Sequence, residues 1–326
     1  MFLEAIDVLL REHAVESVRS AEAGKGASAL YQALDEGGFF ELLAPESEGG
    51  AALEMSEFYP IVMLFGATAL PLPIASTMVA RLLLAPADRP TGSMTFAPAL
   101  TIGPQEAITA SLVPFAMTAD YVLGTRQSEW VLLPVSQALR VPSGVPGNMT
   151  ASLSWAPQQG RVVRPLMDAD LQALGAVLHA GLIAGAAQRV FDLTLQYGND
   201  RSQFGKSIGK FQAIQHQLSV MAEHVAATRI AAEAAFQCGR RVPSWLVSAV
   251  AKSRTSEAAQ LAAATAHAIH GAIGITAEYE LQRYTRRLHE WRMAHGSESY
   301  WNQALGERVL AGDEPLLIDF VRSVVA

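Results

Sequence analysis

Arg201-Ser-Gln-Phe-Gly-Lys-Ser-Ile-Gly-Lys-Phe-Gln212 joins two long stretches of helical pattern. Before it, residues 174–197 are rich in Ala and Leu, with Val177, Leu178, Leu182, Ala186 and Val190 on one helical stripe. After it, Phe211, Ile214, Leu218, Met221 and Val225 recur at steps of three and four, the mark of a buried helix face. The stretch between them is therefore a short, polar, glycine-bearing corner. It carries one guanidinium, two ammonium groups and backbone near a helix N-terminus, a set that attracts anions. Taken alone, the same corner also reads as an ordinary solvated loop.

Length and composition bound what surrounds that corner. At 326 residues the chain exceeds the size at which one core stops growing, so two or three domains are expected. Half the residues are hydrophobic and 17% are charged, which excludes disorder as the main state. The net charge of −7 is uneven: residues 1–170 hold nine basic and eighteen acidic side chains, the remainder fifteen and thirteen. The slightly basic second half fits an anionic ligand and is too weakly charged for nucleic acid. No apolar run of about 18 residues is free of charge and proline, so no membrane span is expected. The acidic start does not read as a signal peptide. The single cysteine, Cys238, forbids an internal disulfide, suits a cytoplasmic location, and reads as a packing residue near a helix end. A mean hydropathy of +0.20 points to an oligomer.

Along the chain the texture changes twice. Residues 1–87 read as an N-terminal helical domain. Leu3, Ile6, Leu9 and Leu10 share a face, a second helix over 30–40 ends at Gly37-Gly38, and helices over 56–65 and 74–84 follow a Pro- and Gly-bearing loop. Residues 88–170 read as a small middle β domain. Short runs at Met94, Tyr121, Trp130 and Arg161 are set among prolines, ten of the chain's sixteen lying between Pro86 and Pro165. Residues 171–326 read as a C-terminal helical bundle, with helices over 174–197, 211–238, 244–270 and 277–293 and a last one from Tyr300. Gly181 and Gly185, one turn apart among alanines, permit close helix packing. The expected fold is mainly α with a small β domain. No zinc-type ligand spacing, dinucleotide-binding glycine motif or basic stripe appears, so neither a metal nor a nucleic acid is expected.

The pattern Arg-x-x-Phe-Gly-x-x-Ile-x-x-Phe-Gln from Arg201 resembles the acyl-CoA dehydrogenase family. So does His267-Ala-Ile-His-Gly-Ala-Ile-Gly-Ile-Thr-Ala-Glu278 followed by Arg286-Arg287, in the same order. The resemblance implies an N-terminal helical domain, a middle β barrel, here shortened, and a C-terminal four-helix bundle. It also implies FAD as cofactor and a CoA thioester as substrate, dehydrogenated between its α and β carbons, with a related chain and an electron-accepting flavoprotein as partners. By the same resemblance Arg201 pairs the flavin pyrophosphate, Phe204 packs beside the cofactor, and Gln212 hydrogen-bonds nearby. Ala268, Gly271 and Ala272 approach it from a neighbouring subunit, and Ser297 belongs to the same cofactor set. Two departures stand out there: Ala268 replaces a usual Gln, and Ala272 a usual Gly, where a methyl hinders close approach to a phosphate. The family's Trp-Ile-Thr strand beside the flavin ring has no match.

The family's catalytic glutamate has no match either. In many members it lies in the final loop, at the position of His295; in others it lies early in the first bundle helix, near Gly175. His295, whose ordinary pKa lies near neutrality, and Glu298 are the candidate bases. Both also read as residues that merely cap or solvate that loop. Glu278 and Glu290 read as helix-surface residues, His270 as a packing residue, and His216 and His224 as facing solvent or a neighbour. Two alternatives stay open besides the dehydrogenase itself: a non-catalytic subunit that completes a paired chain's flavin site, and a flavin monooxygenase on the same fold.

Overall fold

The computed structural model describes residues 2–25, 28–237, 239–312 and 316–325; Cys238 lies outside them. Four helices come first: α1 (Phe2–Glu22), α2 (Ser28–Glu36), α3 (Met55–Ala67) and α4 (Ile74–Leu83). On α1, Ile6, Leu10, Ala14, Val18 and Ala21 are buried at helical spacing, while Leu3, expected on that face, is 40% exposed. Helix α2 stops at Gly38, which takes a φ of 69°. Helix α3 starts from a capping box in which the Glu54 N–H donates to the Glu57 carboxylate at 3.0 Å.

Eight strands follow: β1 (Met94–Ala97), β2 (Thr101–Ile102), β3 (Ile108–Val113), β4 (Tyr121–Arg126), β5 (Glu129–Pro134), β6 (Leu139–Pro142), β7 (Ala151–Trp155) and β8 (Arg161–Val163). They form two four-stranded sheets, ordered β1-β4-β5-β8 and β2-β3-β7-β6. Every pairing is antiparallel except β1 with β4. In the first sheet β1, β4 and β5 are buried on both faces through their central residues, while the edge strand β8 exposes Arg161 and Val162. Along β5, Trp130 and Leu132 enter the main core, while Val131 and Leu133 enter a small core shared with Ile108, Leu153 and Trp155 of the second sheet. That is why these three strands read as largely unbroken apolar runs. All four runs legible in the sequence belong to this sheet. The second sheet lacked such a signal: β2 is two exposed residues, β6 is exposed throughout, and β3 carries an irregularity between Ala110 and Val113.

The remainder is helical: α5 (Leu171–Asp200), α6 (Gln212–Phe236), α7 (Trp245–His270), α8 (Leu281–Met293), α9 (Glu298–Leu310) and α10 (Leu317–Val325). A two-residue hairpin, β9 (Ser202–Gln203) with β10 (Lys206–Ser207), separates α5 from α6. Helix α5 is longer than its apolar stripe. The Asp170 carboxylate caps it by accepting from the N–H groups of Gln172 and Ala173 at 2.8 and 3.2 Å. By length and hydropathy α5 could cross a membrane, yet 83% of its apolar window is buried among α3, α6, α7 and α8. Helix α9 begins at Glu298, two residues before the expected start, and α8 begins at Leu281 after a 3-10 turn over Gly271–Ile275.

Two features fix how these layers meet. At the crossing of α3 and α5, a Cβ on Gly185 would overlap the Met63 carbonyl, and one on Gly66 would overlap the Leu182 carbonyl. Opposed glycines thus bring the two backbones into contact, and Gly185 acts there as its spacing implied. Helix α8 is tied to α1 and to the β domain by charge. Buried Arg287 pairs with Glu22 at 2.9 Å and Glu290 at 2.7 Å and donates to the Gly147 carbonyl at 2.8 Å. Glu290 is therefore not a surface residue. Its other oxygen accepts from the N–H groups of Met149 and Thr150 and from the Thr150 hydroxyl, at 2.7, 2.9 and 2.8 Å. A charge so enclosed needs full pairing, and this one has it. Glu278, in contrast, is exposed as expected.

Gly185→Ala should destabilise the protein by roughly 1–3 kcal/mol through overpacking at this crossing. Gly306→Ala, on α9 with open space around it, should stabilise by roughly 0.5–1 kcal/mol by helix propensity. Denaturant midpoints of the two variants check both signs.

Candidate functional site

The residues singled out in the sequence gather at two opposite ends of α5. At its C-terminal end, Phe204 and Gly205 form the tip of the β9–β10 hairpin, with φ values of 52° and 79°. Both positive angles suit the tight two-residue turn of a twisted hairpin. The Phe204 ring stands 92% exposed, edge-on to Phe211 at 6.3 Å. Arg201 caps α5 through its backbone and is exposed; among the described residues its guanidinium has no partner. Lys206 lies 4.3 Å over the Phe211 ring, and Gln212 opens α6.

Helix α7 ends beside this corner. Tyr197 stacks on His270 at 4.3 Å, which joins the last turns of α5 and α7 and bears out the packing role expected of His270. Ala268, Gly271 and Ala272 are exposed there, and Gly271 takes a φ of 63°. Both sequence signatures thus converge on one surface that offers a free guanidinium, two ammonium groups, an aromatic ring and bare backbone. This donor set fits a phosphate-bearing cofactor with a flat ring system. His216 is exposed, while His224 meets the Arg254 guanidinium at 3.1 Å.

The other end of α5 holds His295. The loop between α8 and α9 carries it at a φ of 52°, followed by Gly296 at 94°. Its imidazole lies over the Cα of Gly175, where a Cβ would overlap the ring. His179, one turn along α5, sits 5.1 Å from His295 and 5.6 Å from Phe115, ring to ring. The His179 Nδ1–H donates to the Gly175 carbonyl at 2.8 Å, and its buried Nε2 has no partner among the described residues. Lys252 of α7, fully buried, donates to the Ser256 hydroxyl and to the carbonyls of Arg292 and Gly296 at 2.8, 2.7 and 2.8 Å. Among the described residues no carboxylate touches its ammonium. Burial brings Lys252 down to about 7, Glu298 opposing. Burial, then Lys252, brings His179 down to about 3. Burial, then His179 and Lys252, holds His295 well below its ordinary value.

Glu298 does not join this cluster. Arg292 binds both of its carboxylate oxygens, and that pairing lowers its pKa and commits it to the start of α9. Ser297 is the residue before α9 and makes no side-chain cap.

The comparisons with known proteins agree along the chain. Residues 172–310 match the family described as acyl-CoA dehydrogenase, C-terminal domain. The acyl-CoA dehydrogenase IpdE2 of Mycobacterium tuberculosis is 30% identical over 298 residues, covering 89% of this chain and 90% of that protein. The chain belongs to the acyl-CoA dehydrogenase family. Among solved structures, the ChsE4-ChsE5 complex of Mycobacterium tuberculosis superposes with a TM-score of 0.82 at 18% identity, covering 96% of this chain and 97% of that one. The Tcur3481-Tcur3483 steroid acyl-CoA dehydrogenase variant gives 0.78 at 20% identity, covering 94% and 97%.

Within this acyl-CoA dehydrogenase fold, the two positions where relatives were expected to carry a glutamate, His295 and Gly175, are in contact. One holds an imidazole and the other holds nothing, so that the imidazole fits. Sequence reasoning missed Lys252 and His179. Both sit on buried helical stripes, Lys252 among Ser248, Thr255, Ser256 and Ala259. A lone cation at the period of an apolar face was the available signal.

The depressed histidines set a pH dependence. The folded chain holds His179 neutral, so as the pH falls the unfolded chain takes up protons first. The corresponding stability is present in full above pH 6.5 and is lost as the pH falls toward about 3. Stability of wild type should therefore fall more steeply below pH 6.5 than that of His179→Phe, which keeps the ring and cannot titrate. Equal slopes in parallel denaturant titrations would contradict the neutral burial of His179.

Proposed function

We propose that the chain is one subunit of an FAD-dependent acyl-CoA dehydrogenase acting on a CoA thioester, paired with a related chain that supplies the proton-abstracting carboxylate. The observation that carries this reading is the contact of His295 with Gly175. The place for the base holds an imidazole whose protonation is opposed by its burial, by His179 and by the Lys252 ammonium. A general base must accept a proton in the transition state, and this environment penalises that charge.

The chain's contribution on this reading is the cofactor corner. Arg201 would pair the pyrophosphate through its planar fork, Phe204 would pack against the cofactor, and Gln212, Ala268, Gly271 and Ala272 would line its approach. Bound FAD supplies the hydride acceptor, and an electron-accepting flavoprotein would reoxidise it. From Gly175 to the cap at Arg201, α5 runs about 39 Å at about 1.5 Å per residue. That exceeds the length of an extended dinucleotide. On this reading the hairpin and the His295 cleft of one chain would serve different cofactors, which favours an oligomer. Ser297, at the His295 end, would face the cofactor brought by a neighbour. Two of the fold relatives bear names of two-chain complexes, which supports a heteromer.

The isolated chain should show no turnover of acyl-CoA substrates with an artificial electron acceptor. Co-expression with a family member that carries the glutamate should restore it. Turnover by the isolated chain at the rate of the pair would overturn this reading. In the co-expressed protein, Arg201→Ala should weaken flavin binding by roughly two orders of magnitude, as loss of a charge-assisted interface contact does. Arg201→Lys should recover part of it. Equal flavin content in all three at limiting FAD would remove the hairpin from the cofactor site.

A further inference from the structure

Two spaces meet at His295. The outer one is a cleft of about 220 Å³ between Ala97, Pro98 and Val113 of the β domain, Gln172 of α5, and Met293 of α8. The inner one, of about 10 Å³, lies among Ser76, Thr95, Phe96, Phe115 and His179. His295 lines both, as does Phe96. The inner space is close to the smallest that holds a single water, roughly 10–15 Å³. It nevertheless exposes a bare acceptor, the His179 Nε2, and belongs to a layer boundary where the outer cleft is twenty-fold larger by the two volumes above. At the boundary between the two stand Phe96 of β1 and the His295 ring, the latter on a loop at positive φ.

That ring is held at several points. Lys252 reaches across from α7 and binds the carbonyls of Arg292 and Gly296, which bracket His295 on either side. The fully buried Trp301 donates its indole N–H to the His295 carbonyl at 3.0 Å. Gly296 has no Cβ, which would overlap Tyr300 and crowd Trp301. Gly175 leaves room for the ring itself. A non-glycine residue at positive φ persists only where its surroundings over-determine it. Removing the ammonium would take the Lys252 donor from the Gly296 carbonyl, leave the Arg292 carbonyl only the Ser256 hydroxyl at 3.4 Å, and loosen the loop from α7.

We propose that Lys252 is a positioning residue that locks His295, beside Phe96, across the boundary between the outer cleft and the inner cavity, so that His179 is shut off from the cleft. This lock does not rest on the reading of the chain as one half of a heteromer. His179 is the reporter. Its Nε2 is unprotonated and chemically ready for an acylating reagent, yet enclosed behind His295.

The test is carbethoxylation of the co-expressed, flavin-loaded protein with diethyl pyrocarbonate near pH 7, followed site by site by mass spectrometry. Exposed His216 is the internal standard. In wild type, His179 should react about tenfold or more slowly than His216, because reaction requires local opening. In Lys252→Met, His179 and His295 should both rise toward the His216 rate. His295→Ala should expose His179 with Lys252 intact, and Lys252→Gln, which keeps a donor, should give an intermediate rate and serves if the methionine variant does not fold. Gly185→Ala, destabilised at a remote crossing, should leave His179 protected, which separates a lock from general loosening. Reaction of His179 at the His216 rate in wild type, or its continued protection in folded Lys252→Met and His295→Ala, would overturn the proposal. Failure of the paired-enzyme reading would appear in turnover and leave these labelling rates unchanged.

Discussion

Over its first twenty residues helix α5 is enclosed almost throughout, and the rest of the chain is arranged by that enclosure. A helix of thirty residues buried among α3, α6, α7 and α8 must let neighbouring backbones approach and must leave no polar group stranded. It meets the first demand with small residues. Gly185 accepts the α3 backbone, Gly181 packs beside Val62 and Phe236, and Gly175 admits a histidine ring. It meets the second mostly within itself, since the Thr194 hydroxyl donates to the Val190 carbonyl and the His179 Nδ1–H to that of Gly175, at 2.6 and 2.8 Å. The His179 Nε2 is left over, and it lies where the site is. Packing density and chemistry share one helix.

The two ends of α5 then differ in kind. Its C-terminal end is open and cationic, with a hairpin that places an apolar ring almost wholly in solvent. That ring touches Phe211 edge-on and leaves most of its surface to solvent. Its N-terminal end is closed and lacks a carboxylate at the point where His295 and Gly175 touch. The buried ammonium of Lys252 raises the cost of any further positive charge there. On the proposed reading, the open end would hold one part of a cofactor while the closed end keeps a proton off His295.

How much of this was legible follows from the physics of each element. The helices of the bundle showed in the sequence because long stripes at a period of 3.6 are redundant signals. In the first sheet, β1, β4 and β5 showed because burial on both faces made them largely continuous and apolar. The second sheet, with exposed β6 and irregular β3, left no such trace. In the site, Arg201, Phe204 and the His267–Glu278 segment were legible as local patterns. His295 and Gly175 were each marked, but their contact joins positions 120 residues apart and needs the fold. Glu290 looked like a surface acid because no local pattern foretells four donors arriving from the β domain and from its own helix.

On the proposed reading, the hairpin of this chain would serve a cofactor bound against another chain. Replacing Phe204 by p-benzoylphenylalanine, in protein co-expressed with a glutamate-bearing relative and loaded with FAD, tests it most directly. Irradiation should yield cross-links from position 204 to a neighbouring chain, and FAD should compete by shielding the ring. Cross-links confined to the same chain, unchanged by FAD, would contradict it.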